Sequence, residues 1–574
     1  MNNLIFSFTL ICLFSGNTIV AAESPGESGK AAVREEIKAI IEEGHYPGVS
    51  ILLIHKGKVL MREAHGVVDL ETKEPFTVDQ LCWLASTGKM FTATLMAALV
   101  DDGVLDFDDP IAKTFPEFAG IRLRDGGGQP ERPILLRHAL SHTSGVPGNR
   151  WMEDNGLTQD DPAYAKFFYP ENPRDFIDGC LKVGLAVEPG TRMLYGRPID
   201  LSACVVEKLT GKPFTRMMEE KVFVPLGLKH TTIRPTSADL EKLAPLYQSE
   251  KTGVFEPDGF ALEVAERQNK RLSTAGGGVY STLDDLGILM QLHLNYGRHD
   301  GMQLIRPETL AELYQPQPGT NGRYGLAFQI MKSDVNGEST LYNHPGYSGP
   351  VAWFDFERQL AGVLLMQSNT VGRGSHHQRI IDRIHEMIPA ETIKPVVLLN
   401  EDFQSNLSDD WFWGLGTWSA KDGILRGFES GERRHGPVKL RRFPLKDGMV
   451  ECEFRIEGGA TFASVPFNGS HERGHLLNVV MSRSQFRIIA HIRKGESVDL
   501  VRVPITLQDQ EWHPVRIALK GENITVEFNG GTYSGRHPAI AEQKENFGFG
   551  GDSGGPEGEK VGALEFRNLK ITTR

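Results

Sequence analysis

Hydrophobic positions in the first two thirds of the chain follow two patterns. Apolar residues recur every three to four positions in Ala31–Glu43 and Leu283–Leu294, which predicts amphipathic helices. The apolar runs Val49–His55 and Val59–Ala64 are separated by the short segment Lys56-Gly57-Lys58, which predicts a β-hairpin. This part of the sequence is therefore expected to combine helices with antiparallel strands.

The pattern changes at about Pro395, where helical periodicity gives way to short alternating runs. In Val450–Ile456 every second residue is apolar, which is typical of a strand with one buried face. Hairpins are predicted across Asp422-Gly423 and at Gly521-Glu522-Asn523. Many short strands with regular turns indicate a β-sandwich, and we assign residues 397–574 to such a domain.

One helix, Met90–Val100, is apolar on nearly every side and is therefore predicted to be buried. It begins next to Ser86, with Lys89 three residues further on, so both side chains lie on one helix face. A serine hydroxyl becomes a nucleophile when a neighbouring base, such as a desolvated lysine, takes its proton. Ser-x-x-Lys also occurs by chance, and serine is an ordinary N-cap residue, so the motif alone leaves both interpretations open.

Two histidine patterns resemble metal sites. His138 and His142 are four residues apart, but no third ligand is nearby in sequence, which favours hydrogen-bonded structural histidines. His471–His475 matches the His-Glu-x-x-His motif of zinc proteases, which requires a helix, whereas Gly469 and Gly474 predict a loop here. We therefore expect neither a metal nor another cofactor.

Composition narrows the classes of partner. The 574 residues are 40% hydrophobic and 24% charged, which is ordinary for a globular chain of more than one domain. The net charge of -12 argues against nucleic acid or anionic lipid as a partner. The cysteines are too sparse for a disulfide framework, although Cys180 and Cys204 are candidates for one bond in an oxidising compartment.

The first 22 residues are predicted to be a signal peptide. The apolar run Leu4–Phe14 is too short to span a bilayer, and Val20-Ala21-Ala22 offers small residues for cleavage. We therefore expect an exported protein, periplasmic or secreted, without a transmembrane anchor.

Five motifs in order resemble the serine β-lactamase and penicillin-binding-protein superfamily. They are Ser86-x-x-Lys89, Leu-Arg-His-Ala-Leu-Ser-His-Thr-Ser-Gly (136–145), Pro-Gly-Thr-Arg-Met-Leu-Tyr (189–195), Gly-Gly-Gly-Val-Tyr-Ser-Thr (276–282) and His-Pro-Gly (344–346). The branch that is most similar contains class C β-lactamases, esterases and D-amino-acid peptidases. The resemblance implies an α+β fold, an antiparallel sheet flanked by helices, and we assign residues 23–396 to this domain.

The resemblance also implies roles for individual residues. Ser86 would be the acylated nucleophile and Lys89 its base partner. Tyr195 would carry a proton to the leaving group and help to activate water. In many members of the family a lysine occupies the position of His344, and the esterase-like members have a histidine there. We expect this position to lie on an edge strand.

Two further positions are implied to contact the substrate. The backbone N–H groups of Ser86 and Tyr347 would form the oxyanion hole. Gly346 would let the substrate backbone approach the strand closely.

The sequence departs from the family pattern at Arg197, where an asparagine is usual two residues after the motif tyrosine. The missing amide puts efficient β-lactam hydrolysis in doubt. The guanidinium of Arg197 is a candidate to stabilise a Tyr195 phenolate or to bind a substrate carboxylate or carbonyl. The alternative is that Arg197 turns to the surface and pairs with an acid.

The C-terminal segment resembles concanavalin- and laminin-G-like jelly rolls, on Glu511–Gly530 and the closing Leu564–Ile571. This likeness implies a carbohydrate-binding or adhesion module.

Two functions remain open for the whole chain. One is an exported serine hydrolase that acts on an ester, an amide or a cell-wall peptide through an acyl-enzyme, and the other is an inactive peptidoglycan- or glycan-binding protein. The set Ser86, Lys89, Tyr195 and His344 favours the enzyme.

Overall fold

A computed structural model describes residues 26–124, 126–158, 161–333, 339–390, 397–429, 436–470, 474–493, 495–508, 510–552 and 562–572. The predicted signal peptide, the end of the first predicted domain at 391–396 and residues 471–473 of the His-Glu-x-x-His motif lie outside these ranges. Within them, no helix combines the length and the apolar character needed to cross a bilayer.

A six-stranded antiparallel sheet forms the centre of the first region. Its strands, in spatial order, are Lys58–Gly66, Gly48–His55, Leu360–Leu365, Val351–Asp355, Ser339–Pro345 and Gln329–Ser333. The predicted hairpin is confirmed, and its turn residues Lys56 and Gly57 have φ of 51° and 75°, as a two-residue hairpin loop requires. The sheet is the platform on which the other elements are arranged.

Short strand pairs and helices surround this sheet. The other strands are Cys82–Trp83 with Tyr280–Ser281, Arg298–His299 with Met302–Gln303, and the trio Ser368–Thr370, Leu246–Lys251 and Val254–Asp258. The α-helices are Glu27–Glu42, Lys89–Asp101, Ile111–Thr114, Leu136–Leu140, Asn149–Asp154, Ala165–Phe168, Pro173–Val183, Asp200–Thr210, Phe214–Met218, Ser237–Leu240, Phe260–Lys270, Leu283–Leu294, Pro307–Tyr314 and Arg373–Met387. Single turns of 3-10 helix are Ala85–Gly88, Pro116–Gly120, Pro162–Tyr164 and Arg197–Ile199, and Glu219–Phe223 is a π-helical turn.

Both faces of the central sheet are buried. Along Gly48–His55, Ile51 and Leu53 pack on the face covered by the helices Glu27–Glu42 and Arg373–Met387. Leu52 and Ile54, which alternate with them along the strand, contribute to the larger core on the opposite face. Because successive strand side chains point to opposite faces, a sheet covered on both sides needs an unbroken apolar run, and Ile51–Ile54 supplies it.

The helix Lys89–Asp101 is buried in this larger core, as its sequence predicts, and every residue from Lys89 to Leu99 is shielded from solvent. The start of the helix differs from the prediction. Ser86 lies in the 3-10 turn Ala85–Gly88, and the α-helix begins only at Lys89. Ala85 has φ of 46°, so the chain reverses sharply between the strand Cys82–Trp83 and the helix.

Two other details differ from the sequence expectations. The strand that carries His344 is second from the edge, because Gln329–Ser333 pairs outside it, although that pairing reaches only to Asn343. Cys180 and Cys204 are both buried free thiols, so the candidate disulfide is not formed.

The C-terminal region consists of two antiparallel sheets, which confirms the predicted all-β architecture. The first contains Thr417–Lys421, Ile424–Phe428, Ala563–Thr572, Gly448–Glu457, His513–Lys520, Asn523–Phe528 and Gly531–Arg536, with Val397–Glu401 beside Ala563–Thr572. The second contains Trp413–Leu415, Val438–Leu445, Lys544–Asp552, Phe462–Asn468, His475–Ser482, Gln485–Arg493 and Glu496–Pro504, and the one short helix among the described residues here is Pro538–Ala541. Phe549 and Phe566 stack between the sheets, with ring centroids 4.1 Å apart, so the sheets share one core.

The two regions touch through the helix Pro307–Tyr314, which packs against the strand Val438–Leu445. Their apolar cores are separate: those of the first region end at Ile388, and that of the second begins at Phe403. The division at 396/397 agrees with this separation and remains a prediction.

Candidate active site

The Ser86 hydroxyl is the point at which two other predicted residues meet. Lys89 Nζ donates a hydrogen bond to Ser86 Oγ at 2.8 Å, and Tyr195 OH donates to the same atom at 2.8 Å. Ser86 and Lys89 are held by one continuous helical segment, whereas Tyr195 comes from a loop 109 residues further along the chain. The structure thus brings together the three residues that the sequence motifs single out.

Lys89 is held in an almost dry environment, since only 4% of its surface is exposed. Besides its bond to Ser86, its Nζ donates to the carbonyl oxygen of Gly276. Nζ also lies 5.0 Å from the centroid of the Tyr195 ring. These contacts fix the amine between the nucleophile and the tyrosine, within hydrogen-bond reach of Ser86 Oγ.

Tyr195 is supported from behind by His142, whose ring centroid lies 4.3 Å from that of the tyrosine. Burial, together with the nearby Lys89, holds the pKa of His142 well below its ordinary value, so the ring is neutral. The loop also needs Gly148, because a Cβ there would lie 1.8 Å from the Tyr195 carbonyl oxygen. His142 and Gly148 thus help to hold the exposed tyrosine next to Ser86.

His344 lies beside this trio but does not contact Ser86. Its Nδ1 lies 2.9 Å from the Pro345 carbonyl oxygen and its Nε2 lies 3.0 Å from Tyr324 OH. A ring that donates from Nδ1 and accepts at Nε2 satisfies both partners and is neutral. Burial, with a smaller contribution from Lys89, lowers the pKa of His344 to about 3, which agrees with that state.

Gly346 and Tyr347 follow His344 at the end of the strand. A Cβ at Gly346 would lie 2.3 Å from the Leu84 carbonyl oxygen, so the glycine is required by the packing of the chain on the nucleophile turn. Thr87 Oγ1 donates to the His344 carbonyl oxygen at 2.9 Å and fastens the same two segments together. Tyr347 is 38% exposed, and its OH accepts from Gln248 Nε2 at 3.0 Å.

The Arg197 guanidinium is hydrogen-bonded to groups other than the Tyr195 phenol. Its Nη2 donates to Asp200 Oδ2 at 3.0 Å, and its Nη1 donates to the Phe168 carbonyl oxygen. Its side chain is 21% exposed while that of Asp200 is 1% exposed, so this ion pair is largely buried. The partner is an acid, as one sequence interpretation proposes, but the arginine is not a surface residue.

A cleft of about 670 Å³ opens in front of Ser86 and Lys89. Trp83, Phe168, Tyr169 and Phe260 give it aromatic walls. Such a volume is typical of sites that accept a drug-sized molecule.

Several residues that shape the site were not identified as site residues from the sequence. His142 and Gly276 lie within two of the five family-like motifs, but their contacts with Tyr195 and Lys89 do not follow from the sequence. Asp200 and Tyr324 belong to no motif, and nothing in the sequence indicates that Asp200 faces Arg197 or that Tyr324 faces His344. No cluster of three or more metal-ligating side chains occurs among the residues that the structure describes.

Comparison with known proteins identifies relatives that are named as hydrolases. Esterase EstB from Burkholderia gladioli is 27% identical over 365 residues, which cover 58% of this chain and 88% of EstB. An N-acetylmuramyl-L-alanine amidase from Bacillus subtilis strain 168 is 25% identical over 357 residues, covering 56% of this chain and 77% of the amidase.

Solved structures show the same fold in the first region. EstCE1, described as a hydrolase with promiscuous acyltransferase activity, superposes with a TM-score of 0.54 at 23% identity, covering 62% of this chain and 98% of EstCE1. The beta-lactamase family model matches residues 33–384, which is more than half of the chain and includes all the site residues described above. By this match the chain belongs to the beta-lactamase family.

Proposed function

We propose that this protein is an exported serine hydrolase that cleaves an ester or an amide through an acyl-enzyme on Ser86. The observation that carries the proposal is the pair of 2.8 Å hydrogen bonds that converge on Ser86 Oγ from Lys89 and Tyr195. A purely structural serine at a helix start would need neither a buried lysine nor an exposed tyrosine. The esterase and amidase names among the relatives support the same reaction class.

In the acylation step, Ser86 Oγ attacks the substrate carbonyl carbon while Lys89 accepts the hydroxyl proton. An amine that donates one hydrogen to the Gly276 carbonyl can turn its lone pair toward Ser86, and this orientation is what a general base requires. The backbone N–H groups of Ser86 and Tyr347 are the donors that we assign to the developing oxyanion.

The leaving alkoxide or amine then departs as its bond to the carbonyl carbon breaks. Tyr195 donates its phenolic proton to that leaving atom and recovers a proton from Lys89, which restores both residues. For deacylation, water attacks the acyl carbon, its proton passes to the Tyr195–Lys89 pair, and Ser86 Oγ leaves with a proton. The neutral His344 supports the strand beside the site and exchanges no proton in this scheme.

An ester or a peptide-like amide suits the site better than a β-lactam. Arg197 replaces the asparagine that the family resemblance leads us to expect, and its guanidinium is committed to Asp200 and Phe168. This position therefore offers no side-chain amide to the acyl group of a β-lactam.

We assign the C-terminal sandwich the role of an accessory module that binds carbohydrate and keeps the enzyme near its substrate.

The decisive experiment compares the wild-type protein with Ser86→Ala on a p-nitrophenyl ester, a chromogenic cephalosporin and a D-Ala-D-Ala peptide. We expect ester turnover in the wild type only, with mass spectrometry locating a slow acyl adduct on Ser86. Equal activity of the two proteins would disprove the assignment of Ser86. Binding of the peptide without any adduct or turnover would indicate an inactive binding protein of the same fold.

A further inference from the structure

The cleft in front of Ser86 carries a charge opposite to that of the protein. Four of its lining side chains are arginines and two are acidic, which leaves a formal charge of +2 even with Lys89 neutral, in a chain whose net charge is -12. The arginines are Arg150, Arg197, Arg267 and Arg271, and the acidic residues are Asp200 and Glu263. A positive cleft in an acidic protein concentrates anions at that cleft and repels them elsewhere.

The arginines differ in how far they are neutralised. Arg197 is paired with the buried Asp200, and Arg267 Nη2 lies 2.9 Å from Glu263 on the preceding helical turn. Arg150 is a highly exposed residue, 3.9 Å from Asp154. The Arg271 guanidinium is exposed and forms no hydrogen bond or ion pair with any described residue.

One helix supplies charged, aromatic and aliphatic side chains to the cleft. Phe260, Glu263, Val264, Arg267 and Arg271 recur at helical spacing along the helix Phe260–Lys270 and the residue that follows it, and all of them line the cleft.

Arg267 Cζ lies 5.2 Å from the ring centroid of Tyr169 and 5.8 Å from that of Phe260. A guanidinium close to two aromatic rings is attracted to them, and the N–H groups of Arg267 that do not bond Glu263 can bind a carboxylate. The site therefore combines an apolar surface with a fixed cation at its rim.

We propose that the substrate is an anionic ester or amide, with an aromatic or apolar body on the Phe260 side of the cleft and a carboxylate that pairs with Arg271 and Arg267. This inference rests on the proposed hydrolase function and specifies its substrate class. The cleft volume of about 670 Å³ exceeds what a short acyl chain fills, so a larger body is needed to use both the aromatic wall and the rim.

Two esters of equal length test the proposal: 4-nitrophenyl 4-phenylbutanoate and its analogue with a carboxylate at the para position of the phenyl ring. In low salt, we expect kcat/KM of the wild type to be roughly tenfold higher for the anionic ester, the usual scale of a charge-assisted hydrogen bond. Arg271→Gln should reduce that ratio to about twofold, and added salt should reduce it in the wild type.

Lys270→Gln is the matched control, because it removes the same charge from the neighbouring residue, which pairs with Glu266 and does not line the cleft. A wild type without preference for the anionic ester, or an equal effect of Lys270→Gln and Arg271→Gln, would overturn the proposal.

Calorimetric binding of both esters to Ser86→Ala separates this inference from the proposed function. If the wild type hydrolyses the neutral ester but Ser86→Ala shows no preference between the two, the hydrolase stands and the anionic substrate does not. If neither ester is hydrolysed but Ser86→Ala still binds the anionic one more tightly, the cleft is an anion site and the hydrolase proposal fails.

Discussion

Arg197 and Asp200 form an ion pair that supports the peptide to which Lys89 is bonded. One Asp200 oxygen accepts from Arg197 at 3.0 Å, and the other accepts from the Gly276 backbone N–H at 3.1 Å. The carbonyl of Gly276 in turn accepts the Lys89 amine. The residue that departs from the family pattern therefore acts on the catalytic lysine through two intermediates, without contacting it.

This relationship predicts the effect of Arg197→Asn. Removing the guanidinium leaves a buried carboxylate short of a donor, so we expect the free energy of unfolding to fall by about 2 kcal/mol. We also expect kcat on a neutral ester to fall about tenfold as the Gly276 peptide shifts. Denaturant unfolding and steady-state kinetics measure the two effects, with the exposed Arg192→Asn as a control. A shifted pH optimum without loss of stability would instead indicate direct action on Tyr195.

Ser86 and Lys89 should behave as one catalytic unit. Either Ser86→Ala or Lys89→Ala is expected to lower kcat on an ester by roughly a thousandfold or more, because each removes one end of the same proton transfer. The double variant should lose little beyond the single ones. Additive losses, measured by steady-state kinetics on all four proteins, would show that the two residues act separately.

Tyr195→Phe removes one of the two donors to Ser86 Oγ and leaves the ring on His142 in place. We expect kcat to fall about a hundredfold or more while KM changes little, since proton transfer is lost and the cleft is retained. Tyr533→Phe, in the C-terminal sandwich, is a control for the loss of a hydroxyl. Full activity of Tyr195→Phe would exclude the tyrosine from proton transfer.

His344 should make the protein less stable as the pH falls. Its pKa is about 3 in the folded protein and about 6.5 when unfolded, so below pH 6.5 the unfolded chain binds more protons and stability decreases toward pH 3. The loss from this residue at pH 5 is about 2 kcal/mol relative to neutral pH. In urea titrations between pH 4.5 and 6.5, the free energy of unfolding of His344→Gln should change less steeply with pH than that of the wild type, by about one proton. An unchanged slope would contradict this prediction.

The two regions should be separable. A truncated chain of residues 23–396 is expected to fold and to hydrolyse a small soluble ester, because the apolar cores of the two regions are distinct. Its melting temperature should be lower than that of the full chain, since the helix Pro307–Tyr314 loses its contact with Val438–Leu445. Calorimetry and ester kinetics test both statements, and an insoluble or inactive product would place the domain boundary elsewhere.

Local patterns were enough to predict much of this protein. The buried character of Lys89–Asp101, the hairpin around Lys56-Gly57 and the alternating strand Gly448–Glu457 all follow from the spacing of apolar residues, since each depends on neighbours close in sequence. The nearness of Ser86 and Lys89 has the same origin, because three residues of helix bring the two side chains together.

Tertiary structure decided the contacts between distant segments. Tyr195 reaches Ser86 across 109 residues, and Gly276 reaches Lys89 across 187, so no local period encodes either contact. The partner of Arg197 was left open because an arginine side chain can turn to solvent or to a buried acid, and only the packing around Asp200 selects between them. The positive cleft likewise arises only when the helix Phe260–Lys270 is folded against the nucleophile turn, where charges far apart in sequence face one space.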